Sequence, residues 1–256
     1  MKYGVCVGDD YNKIPIAAEA GYDFVESCFS LLAEKDDEHF YKFAEALKVN
    51  SIPCLSVNCF LPGRLKVTGP DVDYTAVSEY VERGMKRGME LGIRKVVFGS
   101  SGARNVPDGF SYAEAYRQLV YFLKEVASPI AEKYGITVII EPLSRNDSNI
   151  VNSAYEGIAI ISQVNKSNVN GLVDLYHMCN VGDTPDNVRR LKGCITHSHI
   201  ATPFTRAYPK PEDDFDYRDF IAALEEAGCD SCALEGSTQE FEKDSKISAE
   251  LFKSIG

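Results

Sequence analysis

The chain has 256 residues, 45% of them hydrophobic, with 27 basic and 38 acidic side chains and a formal net charge of −11. A surface of that sign repels phosphate backbones and anionic membranes, so neither nucleic acid nor membrane is expected as a partner. No run approaches about 18 apolar residues and the N-terminus opens without a cationic leader, so a cytoplasmic protein is expected, of a length that suits one barrel domain over 1–256.

Short β-branched runs alternate with longer stretches of helical period, the pattern of a parallel sheet covered by helices. The first strand, YGVCVG (3–8), leads into Gly8, Asp9, Asp10 and Tyr11 without the glycine-rich fingerprint of an open dinucleotide-binding sheet. YDFVES (22–27) and IPCLSV (52–57) follow, with His39 in a helix between them. A stripe of Val77, Tyr80, Val81, Gly84, Gly88 and Leu91 precedes the strand KVVFG (95–99), its glycines allowing close helix packing. Ser111 and Glu114 have capping-box spacing and open a helix whose buried face is Tyr116, Leu119, Val120, Leu123, Val126, Ala127 and Ile130. After ITVIIE (136–141), Ser153 and Glu156 repeat the capping signal; after VNGLVDL (169–175), Thr184 stands before Pro185 as an N-cap before a first-turn proline. CITHSHI (194–200) and CALEG (232–236) complete eight strands and leave room for one brief closing helix. Eight such units predict an α/β fold, a single (β/α)8 TIM barrel. The eight cysteines sit mostly in apolar, strand-like segments and read as reduced core thiols; Cys229 and Cys232 have C-x-x-C spacing but lack the second Cys/His pair of a zinc knuckle.

In a parallel barrel the functional face lies at the C-terminal ends of the strands. Glu141, Asp174, His199 and Glu235 finish or nearly finish four consecutive predicted strands. Taken singly, each reads as the first solvated residue of a loop. Taken together they form an oxygen-rich set with one imidazole, which suits Mn²⁺ or Mg²⁺ better than Zn²⁺. His197, two residues before His199, is expected to pack deeper in the barrel as a core histidine. Gly99-Ser-Ser-Gly102-Ala-Arg104 reads as a tight loop over the barrel mouth, with anion binding as the alternative.

The segments Glu141-Pro-Leu-Ser-Arg145, Asp174-Leu-Tyr-His177-Met, His197-Ser-His199 followed by Arg206, and Glu235 resemble the xylose isomerase-like barrel superfamily, nearest to its ketose 3-epimerase and hydroxypyruvate isomerase branches. The resemblance implies one divalent metal, Mn²⁺ first with Mg²⁺, Co²⁺ or Zn²⁺ as alternatives, on Glu141, Asp174, His199 and Glu235, and a sugar or sugar-derived small molecule contacted by His177 and Arg206. Two positions depart from the pattern: Ser144 stands where the family often has Asn, and Asp147 where ketose 3-epimerases tend to have a longer Glu. The implied chemistry is transfer of a proton beside a carbonyl, with Glu141 and Glu235 as the acid and base on opposite faces of the substrate. Hydroxypyruvate isomerisation and dehydration of an inosose-type polyol start from the same proton and stay open. A metal-dependent abasic-site endonuclease, which needs many histidines where this chain has four, and a sugar binder without turnover are the remaining alternatives. Assembly into a homo-oligomer is left open.

Overall fold

In the computed structural model, which describes residues 1–255, eight strands close into a barrel with every neighbouring pair parallel. They are β1 (Lys2–Cys6), β2 (Phe24–Cys28), β3 (Cys54–Asn58), β4 (Lys95–Phe98), β5 (Thr137–Ile140), β6 (Val169–Asp174), β7 (Ile195–Ile200) and β8 (Ser231–Leu234). Each predicted strand is present, displaced by two residues or fewer at either end. Around them lie α1 (Lys13–Ala20), α2 (Phe29–Ala33), α3 (Asp37–Val49), α4 (Tyr74–Glu90), α5 (Ser101–Arg104), α6 (Tyr112–Tyr121), α7 (Ser128–Lys133), α8 (Ala154–Val164), α9 (Leu175–Val181), α10 (Pro185–Arg189), α11 (Tyr217–Ala227) and α12 (Phe241–Ile255). The closing helix α12 runs for 15 residues and is longer than the brief one expected.

The main core fills the space between barrel and helices, and the glycines of the α4 stripe serve it. A Cβ on Gly84 would lie 2.3 Å from the Phe29 ring, so only glycine lets α2 press against α4 there. The stripe from Tyr116 to Ile130 is interrupted, because α6 passes through a π-helical segment, Phe122–Ala127, before α7. Pro129 in the first turn of α7 has no N–H to give and crowds the preceding turn, and a wider turn absorbs that conflict without turning the buried face away.

Ser111 and Ser153 accept the N–H groups of Glu114 and Glu156, as their spacing predicts. The reciprocal half of the box is altered: Glu156 takes the N–H of Asn152, and Glu114 pairs with Arg117. Thr184 stands at the N-cap of α10, but its hydroxyl bonds the Asn187 side chain and caps nothing.

Inside the barrel, side chains alternate with the period of two, and the lining divides by polarity. Val97, Ile139 and Leu172 form a small apolar cluster contributed by β4, β5 and β6. Glu26, Ser56 and His197, from β2, β3 and β7, are buried polar residues that bond one another. No helix of the described residues is long and apolar enough to cross a membrane.

Candidate metal and substrate site

The period of two places Glu141 above Ile139, Asp174 above Leu172 and His199 above His197, all pointing inward at the C-terminal mouth. One ligand atom from each of Glu141, Asp174, His199 and Glu235 falls within 4.8 Å of the others. His199 is fully buried, and its Nδ1 lies 3.1 Å from Glu141 Oε1, 3.4 Å from Glu235 Oε2 and 3.9 Å from Asp174 Oδ2.

Asp174 caps α9 by accepting the His177 N–H through Oδ1 at 3.0 Å. Its Oδ2 is buried without a hydrogen-bond partner. A buried carboxylate oxygen left bare costs several kcal/mol in desolvation, on the order of 1–3 for a neutral polar group and more for a charge. Three carboxylates converging on one imidazole nitrogen, one of them with a bare oxygen, form a donor set that fits a divalent cation.

The electrostatics show the same demand for positive charge. Burial pulls the His199 imidazole down, but the carboxylates of Glu26, Glu235 and Glu141 outweigh it and hold the group well above its ordinary value. Burial raises Asp174, and Glu141 and Glu235 raise it further. Glu235, whose burial also favours the neutral form, is carried the other way to about 2 by His199 and Arg206.

Glu235 is held at both oxygens. Asn58 Nδ2 donates to Oε1 at 2.7 Å and Arg206 Nη2 to Oε2 at 2.5 Å. Arg206 lies over the Tyr176 ring, 5.2 Å from its centroid. The next residue, Gly236, lets the Arg206 loop approach closely: a Cβ there would sit 3.0 Å from the Arg206 carbonyl oxygen.

His177 is buried at the wall of the cleft. Its Nδ1 accepts the N–H of Ser144 at 3.0 Å, so the ring N–H is on Nε2, which is buried and has no partner. Asp147 is held by the Ser144 hydroxyl at 2.6 Å. These groups line a cleft of about 300 Å³, together with Asn58, Cys59, Gly99–Gly102 and Leu143. A larger groove of about 460 Å³ between residues 210–218 and α12 lies apart from the carboxylates and gathers no histidine or cysteine.

In the loop after β4, Gly99–Gly102 line the cleft and Arg104 is turned into the protein. Arg104 is fully buried, and its guanidinium donates to the carbonyls of Phe98 at 2.8 Å and Glu141 at 2.7 Å, tying together the ends of β4 and β5. Gly99 is required by Glu141 itself, because a Cβ at that position would lie 2.3 Å from Glu141 Oε2. Cys229 and Cys232 are buried and free, and Cys229 Sγ donates to the Ser231 carbonyl.

All six candidate residues therefore meet at one mouth, and His197 packs beneath them as expected. Sequence reasoning missed Glu26. It is fully buried on β2, just past a register irregularity between Val25 and Glu26, and it accepts from His197 Nε2 and His199 Nε2, each at 2.8 Å. Burial opposes its charge, yet His199 and His197 hold the carboxyl well below its usual range. The signal was there: an acidic residue inside the apolar run FVESC has to find a buried partner.

Comparison with known proteins agrees with the barrel fold. Residues 14–255 match the model of the family described as "Xylose isomerase-like TIM barrel". The D-psicose 3-epimerase of Agrobacterium fabrum is 25% identical over 189 residues, covering 71% of this chain and 64% of that protein. The L-ribulose 3-epimerase of Mesorhizobium japonicum is 25% identical over 184 residues, covering 71% of this chain and 60% of that protein. The chain thus spans under two thirds of the length of these curated relatives. Among solved structures, D-psicose 3-epimerase from Clostridium cellulolyticum H10, crystallised with D-tagatose, superposes with a TM-score of 0.88 over 100% of this chain and 99% of that one, at 18% identity, which speaks to the fold.

Proposed function

The chain belongs to the xylose isomerase-like TIM barrel family, and from that premise we propose that it is a metal-dependent epimerase of the ketose 3-epimerase kind. The observation that carries the reading is the convergence of Glu141, Asp174 and Glu235 on His199 Nδ1, with Asp174 Oδ2 left bare. These four residues would hold one divalent cation, Mn²⁺ by the balance of oxygen over nitrogen donors. When bound, the ion supplies positive charge beside the substrate oxygens on which negative charge develops as the proton leaves carbon.

The remaining work falls to the side chains. One of Glu141 and Glu235 takes the proton from the carbon beside the carbonyl, and the other returns a proton to the opposite face, so the product differs only in configuration. Arg206 and Asn58 fix the direction in which Glu235 faces the cleft. The free Nε2–H of His177 donates to a substrate oxygen, and its ring orientation is set by the Ser144 backbone. Leu143 and the loop after β4 line the cleft in which the transferred proton moves.

The substrate is an uncharged sugar. Arg206 is the one cationic side chain among the described residues lining the cleft, and it is already paired with Glu235, while Glu141 and Asp147 add negative charge. A phosphate dianion would find no cationic partner free to receive it, since Arg104 is turned into the protein. An abasic-site nuclease is disfavoured by the placement of the histidines: His39 on α3 bonds the Asp9 carbonyl, and His197 lies beneath the mouth.

The test is turnover of free D-psicose, D-fructose, D-tagatose and L-ribulose, alongside the 6-phosphates of the hexoses, by the Mn²⁺-loaded chain. The expected products are C3 epimers of the free sugars. Glu235→Gln should bind Mn²⁺ yet turn nothing over, and full activity in that variant would remove Glu235 from the mechanism. An aldose product would assign the chain to the isomerases, and turnover confined to phosphates would contradict the charge argument.

A further inference from the structure

Beneath the carboxylate cluster, a line of buried hydrogen bonds runs down the barrel interior toward its N-terminal rim. Lys95, at the start of β4, pairs with the exposed Asp230 and donates to Ser231 Oγ at 2.7 Å. Ser231 Oγ lies 2.8 Å from His197 Nδ1, His197 Nε2 is 2.8 Å from Glu26 Oε2, and His199 Nε2 is 2.8 Å from Glu26 Oε1. His197, His199 and Glu26 are fully buried, so water does not offer them alternative partners.

The direction of the bonds that reach Glu26 follows from the inventory of donors and acceptors. Lysine can only donate and an ionised carboxylate can only accept. Glu26 therefore receives an N–H from Nε2 of both imidazoles. His197 Nδ1 lies 2.8 Å from the Ser231 hydroxyl and 3.2 Å from the Ser231 carbonyl, and that hydroxyl receives from Lys95 and donates to Asp230 Oδ1 at 2.8 Å. Glu26 has no freedom to turn, because Oε2 also accepts from the Ser56 hydroxyl and Oε1 from the Cys6 thiol. His199 is thus held with Nε2–H pointing down at Glu26, and the ring's other nitrogen points up at Glu141, Glu235 and Asp174.

We infer that Glu26 is a positioning residue for the cation site: it selects the His199 tautomer whose Nδ1 lone pair faces the three carboxylates, and His197, Ser56 and Ser231 hold it in place. This rests on the proposed cation site and adds to it a residue that touches neither cation nor substrate. Glu26→Gln keeps the shape but presents one N–H₂ where an oxygen now accepts, so one of the two imidazoles must reverse its tautomer or lose its bond. Outer partners of this kind are typically worth about 10- to 100-fold in metal affinity.

The experiment has two arms on the full chain. Calorimetric titration with Mn²⁺ compares the unmodified protein with Glu26→Gln, each checked for its thermal midpoint. Two-bond ¹H–¹⁵N correlation of the Zn²⁺-loaded unmodified protein reads the tautomers directly, and four histidines make the spectrum assignable. The expected result is an affinity at least tenfold weaker in a folded Glu26→Gln protein, with the protons of His197 and His199 on Nε2. Affinity within twofold, or a His199 proton on Nδ1 in the loaded protein, overturns the role of Glu26 while leaving the cation site standing. If the unmodified protein binds neither ion, the cation site itself falls and the inference with it. Should Glu26→Gln fail to fold, the tautomer spectrum of the unmodified chain decides.

Discussion

Gly99 and Glu141 illustrate how little slack the site has at the level of single residues. Alanine at position 99 would place its Cβ 2.3 Å from Glu141 Oε2, and the carboxylate is the group that must move. The core behind it is held by Arg104 and the barrel wall, so the cost appears in the site before it appears in the fold. Gly99→Ala is expected to weaken Mn²⁺ binding by about tenfold, on the order of 1.4 kcal/mol, with a thermal midpoint close to that of the unmodified protein; calorimetry and a melting curve measure both. Unchanged affinity would mean that Glu141 is not a ligand. Glu141, Asp174, His199 and Glu235 could be read from the sequence because each closes an apolar strand. For Glu26 the apolar run around it signals a buried carboxylate but not its partners, because His197 and His199 lie 171 and 173 residues away and meet it only when the barrel closes.

At the level of elements, local signals were readable wherever one element's own residues decide the outcome. Eight apolar runs became eight strands, and Ser111 and Ser153 became N-caps because a hydroxyl three residues before an orphan N–H needs no help from the rest of the chain. The π-helical segment before Pro129 was not readable, since a stripe of buried side chains reports the face of a helix and not its winding. The same reasoning separates two threonine and serine positions that look alike in sequence. Ser153→Ala should cost about 1 kcal/mol of stability, measured by denaturant unfolding. Thr184→Ala should cost much less, because its hydroxyl bonds Asn187 and satisfies no backbone N–H of α10. Equal losses would contradict the cap assignment.

Over the whole molecule, the closed barrel concentrates negative charge at one end of its interior. Burial lowers His199, but Glu26, Glu235 and Glu141 together raise it well above its ordinary value, so near neutral pH the ion-free protein carries a proton there. A cation must displace that proton to reach Nδ1, which makes affinity fall as pH falls and makes binding release about one proton. Titrations at pH 7 in two buffers of different ionisation enthalpy measure the release, and a buffer-independent enthalpy would contradict it. The net charge of −11 and a cleft whose cation is already paired support the proposed ligand, an uncharged sugar. The central claim is that Glu141 and Glu235 move a proton beside a carbonyl, and its most direct test is deuterium incorporation from D₂O into D-psicose and D-fructose by the Mn²⁺-loaded chain, followed by NMR. The account predicts deuterium at C3 of the epimerised product with the unmodified protein, and no C3 epimer with Glu141→Gln or Glu235→Gln. Epimerisation without incorporation, or a C3 epimer that still forms in either variant, would contradict it.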